Sequence, residues 1–110
     1  MNIQFEKIWN KVIKPLEGKI LHTLKYNEPN TILKVTEDSL TRNSKNDSNP
    51  QTISKKEFEL IYNHIMDNGS VSRSLINTVL PKRFSSIVCA VLSKAPNIKF
   101  DLNPIVLYKK

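Results

Sequence analysis

At 110 residues, with 39% hydrophobic and 25% charged side chains, the chain has material for one compact domain, or for a module with an extension, and is not intrinsically disordered. Its formal charge of +7 favours polyanionic partners, nucleic acid first, and no apolar run approaches a membrane span. Two histidines and the single Cys89 exclude an internal disulfide and a multi-ligand zinc centre.

The first apolar pattern, Phe5, Ile8, Trp9, Val12 and Ile13, follows helical spacing, and it predicts an amphipathic helix stopped at Pro15. Its charged residues interrupt any secretory leader, so the expected localisation is cytoplasmic. Residues 19–25 and 31–36, rich in aliphatic and β-branched side chains around an Asn/Pro turn, predict a hairpin, and residues 39–42 a third strand. Residues 43–50 are polar or turn-forming throughout and predict a loop and a boundary. The expected division is therefore an N-terminal extension, residues 1–50, and a second module, residues 51–110.

The second module is explicit. Ser54 and Glu57 form a capping-box pattern flanked by Ile53 and Phe58, and the helix they open, with Phe58, Ile61, Tyr62 and Ile65 on one face, closes at Gly69. Ser72 caps a second helix that buries Leu75, Ile76, Val79 and Leu80 and ends at Pro81. A third helix, residues 83–94, carries the stripe Phe84, Ile87, Val88, Val91 and Leu92, and Pro96 ends it. Residues 98–101 and 105–108 predict a hairpin around Leu102-Asn103-Pro104. Residues 68–110 hold seven Lys/Arg against Asp101 alone, so the positive charge is concentrated here.

Three helices and a hairpin in this order resemble the winged helix-turn-helix family over residues 53–110. A strand-rich extension before such a module is faintly similar to accessory DNA-reading domains of bacterial restriction enzymes and phage proteins. The expected fold is thus α+β: a winged helix-turn-helix, three helices plus a β-hairpin wing, preceded by an N-terminal helix and a small antiparallel sheet. The resemblance implies non-catalytic binding of double-stranded DNA by a small bacterial or phage protein, a transcription regulator or accessory recognition domain. Lys82 and Arg83 would stand at the amino end of the recognition helix, with Arg83 facing guanine, and Ser85 and Ser86 would allow close approach. Arg73 would clamp a phosphate, and Lys99 and Lys109 would touch the backbone from the wing.

The competing expectation is a docking or inhibitory module. It would use the small-residue face of the third helix (Ser85, Ser86, Cys89, Ala90, Ser93) and the N-terminal helix, where Phe5 and Trp9 would meet a protein partner or a second copy. No catalytic set, glycine-rich phosphate loop, metal site or cofactor signature is present, so no enzyme is expected. Tyr108 is the one wing aromatic that could touch a sugar or base.

Overall fold

The computed structural model describes residues 2–44, 49–80 and 84–110. An N-terminal helix α1 (Ile3–Ile8) continues through a π-helical turn (Trp9–Ile13) and a 3-10 turn (Lys14–Leu16). Four strands follow, β1 (Ile20–His22), β2 (Pro29–Val35), β3 (Ser39–Ser44) and β4 (Gln51–Ser54). Then come α2 (Lys55–Asn68), β5 (Ser70–Ser72), α3 (Arg73–Val79), α4 (Ser85–Leu92), β6 (Ile98–Leu102) and β7 (Ile105–Lys109). The architecture is α+β, with two antiparallel sheets ordered β1-β2-β3-β4 and β5-β7-β6.

Local chemistry explains the best-specified element. Ser54 Oγ accepts from Glu57 N–H at 3.1 Å while Glu57 Oε1 accepts from Ser54 N–H at 3.2 Å, so two otherwise orphaned donors are satisfied reciprocally. The helix stops where Gly69 takes φ +89°, a left-handed conformation that costs glycine little, and its N–H donates to the Ile65 carbonyl. Ser72 Oγ likewise accepts from Leu75 N–H and opens α3.

Several elements differ from their expected extents. The first helix does not stop before Pro15, because the proline sits in the opening turn of a 3-10 segment, where it needs no N–H partner. The first strand shrinks to three residues. Two short strands, β4 and β5, appear where only a helix cap and its flank were expected; both are made by pairing with distant partners, Leu40↔Ile53 and Val71↔Leu107. Val79, expected inside, is half exposed.

The division expected after residue 50 falls within a hydrogen-bonded sheet, since β4 pairs with β3 in the register Ser39↔Ser54 to Arg42↔Gln51. One hydrophobic cluster runs from Phe5 to Leu107. The radius of gyration, 12.7 Å, is that of a single compact body of this length, about 13 Å.

The N-terminal helix is joined to this core by its aromatic face. Phe5 lies 5.1 Å from Tyr62 and Trp9 lies 5.7 Å from Phe58, centroid to centroid, in tilted contacts favourable for aromatic pairs. Trp9 Nε1–H donates to the Thr36 carbonyl at 3.0 Å, and Lys55 pairs with Glu6. Phe5 and Trp9 are both 0% exposed. The expectation that they present a partner-binding surface is therefore corrected: a face this apolar was buried at once against α2, inside the same chain.

Candidate nucleic-acid interface

The residues expected to contact DNA separate into two groups at opposite ends of α4. At the amino end, Arg73, the first residue of α3, reaches across to α4. Its Nε donates to Ser85 Oγ at 3.2 Å and its Nη2 to Ser86 Oγ at 2.9 Å. The guanidinium is thereby engaged inside the molecule. Lys82 and Arg83, the expected base-reading and phosphate-binding pair, lie outside the described residues.

Helix α4 itself is enclosed. Seven of its eight residues are buried, leaving Ser86 alone partly open, and Ser85 and Cys89 are only 3% and 1% exposed. The composition explains this. Cys89 and Ala90 stand off the Ile87–Val88–Val91–Leu92 stripe, but both are small and apolar, so the helix is hydrophobic all round and packs on every side. It meets α2, α3 and β1. Ser85, expected to let the helix approach the bases, is instead one of its covered residues, and its hydroxyl is spent on Arg73. Burial also pushes the Cys89 thiol up to about 12, only partly opposed by Arg73, which disfavours the thiolate form.

The carboxyl end of α4 is different. Lys94 follows the helix, and Pro96 and Asn97 turn the chain into β6. Asn97 is held by a bond from its Nδ2 to Tyr62 Oη at 2.8 Å, and its carbonyl accepts from Lys110 N–H at 3.1 Å. The register Ile98↔Lys109 and Lys99↔Tyr108 brings the wing lysines to the same end. Facing this turn is the outer side of the N-terminal helix. Gln4, Lys7, Ile8, Lys11, Val12, Pro96 and Asn97 line a shallow groove of about 370 Å³.

Lys7, Lys11, Lys94, Lys99, Lys109 and Lys110 are all exposed. The two ion pairs among the described residues, Lys14–Glu37 and Lys55–Glu6, include none of them. Lys99 Nζ stands 5.0 Å from the Tyr108 ring centroid, a cation–π contact. Asp101 hydrogen-bonds Tyr108 and holds its phenol above the usual tyrosine range. Exposed lysines left without neutralising partners raise the positive potential of the surface and attract anions. Lys7 and Lys11 escaped sequence reasoning because they are some ninety positions from the wing, and only the tertiary fold joins the two groups. Of the expected contacts, Lys99 and Lys109 are exposed on opposite faces of the hairpin, while Arg73, Ser85 and Ser86 are bonded to one another within the fold.

A hollow of about 640 Å³ lies beside the α2 cap and is lined by Glu6, Asp38, Ser54, Lys55, Lys56 and Glu59. Its three carboxylates nearly offset its two lysines, and Glu6, Lys55, Ser54 and Glu59 already have partners within the fold. Among the described residues no three His, Cys, Asp or Glu side chains converge as metal ligands, and no helix is long and apolar enough to cross a membrane. No protein-family model, curated protein or solved structure matches this chain.

Proposed function

We propose that this protein is a non-catalytic winged helix-turn-helix module that binds double-stranded DNA chiefly through its phosphates, as a small regulator or an accessory DNA-recognition domain. The observation that carries the reading is a set of six exposed lysines outside both ion pairs, carried by the N-terminal helix, the turn after α4 and the β6–β7 hairpin with its tail. The order of elements supports it: three helices, then a hairpin completed to a three-stranded sheet by the strand between the first two helices.

In this reading the contact surface moves away from α4. A helix with seven of its eight residues buried, and with both serines bonded to Arg73, is poorly placed to enter the major groove, so base reading by Ser85 and Ser86 drops out. Affinity comes from ammonium groups that displace counterions from the backbone, and its salt dependence counts the phosphates engaged. The groove between Lys7, Lys11 and Asn97 is shallow enough to follow a phosphate ridge.

The test is a fluorescence-anisotropy titration of labelled random duplex over a range of salt concentrations. Each phosphate contact contributes about 0.9 to the log–log slope. Replacing Lys7, Lys11 and Lys110 together by Gln should reduce the slope by about 3. Replacing Lys25, in the turn after β1, and Lys34, in β2, should leave it nearly unchanged. Equal losses for both sets would make the binding diffuse charge attraction and remove the interface.

A second reading has its own observation. Leu60 and Val79 stay exposed beside a small apolar groove shared with Ile61, His64, Val71 and Leu75, between α2 and α3. If the protein fails to bind duplex even at low salt, a protein-docking role through this groove becomes the better account.

A further inference from the structure

Strand β6 is an outer strand of its sheet, with β7 on one side and no strand among the described residues paired to its other edge. Lys110 N–H donates to the Asn97 carbonyl at 3.1 Å, while Lys109 N–H turns away to the Gly69 carbonyl at 2.9 Å. Backbone groups alternate sides along an antiparallel strand, so these two bonds place the N–H and carbonyl of Phe100 on the open side. The side chains are unusual for an edge. Phe100 is 41% and Leu102 37% exposed, on the same face as buried Ile98, while Lys99 and Asp101 occupy the opposite face. An edge strand with half-exposed apolar residues, no proline and a regular register is a template for pairing with another strand.

The order of residues identifies the strand that fits. Read in either direction, Ile98-Lys99-Phe100-Asp101-Leu102 runs apolar, charged, apolar, charged, apolar, with charges of opposite sign at mirror positions. We propose that β6 pairs antiparallel with β6 of a second copy across a two-fold axis at Phe100, joining two three-stranded sheets into one of six strands. Ile98 then faces Leu102 of the partner subunit, Lys99 faces Asp101 of the partner subunit, and the two Phe100 rings meet on the axis. Cross-strand pairs of opposite charge and of apolar side chains both stabilise a ladder.

The register is selected as well as the partner. Sliding the strands by two residues about the axis sets Lys99 against Lys99 of the partner subunit, or Asp101 against Asp101 of the partner subunit, and like charges directly opposite repel. Sliding by one residue turns the apolar face against the charged one. The interface is isologous, as a two-fold dimer requires, and small, so the association should be weak and concentration-dependent. It shares Lys99 with the proposed DNA-binding surface but is measured without nucleic acid, so that its failure and the failure of that reading are told apart.

Sedimentation velocity up to about 1 mM protein, a concentration that fills even a weak dimer, should show a monomer–dimer equilibrium. Lys99→Asp alone and Asp101→Lys alone each place like charges opposite one another, and each should weaken the dimer at least tenfold. The double reversal restores opposite pairs and should return the dimer to within a few-fold of wild type. Circular dichroism melting of all three variants confirms that they fold. A wild-type chain that stays monomeric overturns the proposal. So does dimerisation unaffected by the single reversals, or a folded double variant that stays monomeric.

Discussion

The two ends of α4 carry cationic side chains of opposite fate. At the amino end Arg73 is turned inward, its guanidinium shared between Ser85 and Ser86, and it works as a brace between α3 and α4. At the carboxyl end Lys94, Lys99, Lys109 and Lys110, joined by Lys7 and Lys11 from the N-terminal helix, remain turned outward without ion-pair partners among the described residues. Charge composition alone does not distinguish the two. The difference arises because a planar, multi-donor guanidinium can satisfy several hydroxyls at once inside a protein, whereas a strongly hydrated ammonium is left in water. A positive residue near a helix end is thus a ligand contact only when the fold leaves it unspent.

The strongest way to break this comparison is to test whether α4 is truly enclosed. Ala90→Glu places a charge at a position 1% exposed, and it should lower stability by about 3–5 kcal/mol or prevent folding. An unchanged melting curve would return α4 to the surface and revive it as a reading helix. A smaller effect is expected at the brace. Arg73→Met keeps the aliphatic stem but removes both donors, and urea unfolding should report a loss of about 1–3 kcal/mol. The salt slope of duplex binding should stay at the wild-type value, and a slope reduced by about 1 would make Arg73 a phosphate contact after all.

The mildest probe is pH. The Cys89 thiol ionises at about 12 in the folded chain against a reference of 9.0. A group whose folded pKa is raised contributes stability that is intact below its unfolded value and is lost as pH climbs toward the folded one. Stability should therefore fall between about pH 9 and 12, less steeply in Cys89→Ala than in wild type. Identical alkaline profiles for the two proteins would mean that the thiol is hydrated in the native state.

What the sequence disclosed was what neighbouring residues decide. The Ser54–Glu57 cap, the Gly69 stop and the helical stripes were legible because a cap, a left-handed turn and a 3.6-residue period are local properties. The fate of α4 was not. Its stripe read as one face of an exposed helix, since Cys89 and Ala90 are small enough to pass as surface residues. Only the packing of β1, α2 and α3 turns smallness into close contact. Strands β4 and β5 escaped for a related reason: each exists because β3 or β7 lies alongside it. The aromatic face with Phe5 and Trp9 was found, but its partner was misjudged, because spacing defines a sticky face and not what it adheres to. The lysine groove was the least legible, as its two halves come from opposite ends of the chain.

The junction between the N-terminal helix and α2 also has a kinetic meaning. The Asn2 N–H to Glu59 bond joins residues 57 positions apart, so closing the aromatic cluster ties off a long loop, at an entropic expense of about 3–4 kcal/mol. The meander of β1 to β4 lies wholly inside that loop, and each of its pairings is between successive strands. Once formed, it draws the two ends together and shortens the search that remains. Prising the N-terminal helix from α2 strips the Trp9–Phe58 contact and the Trp9–Thr36 bond together, and so opens the meander's side of the core with it.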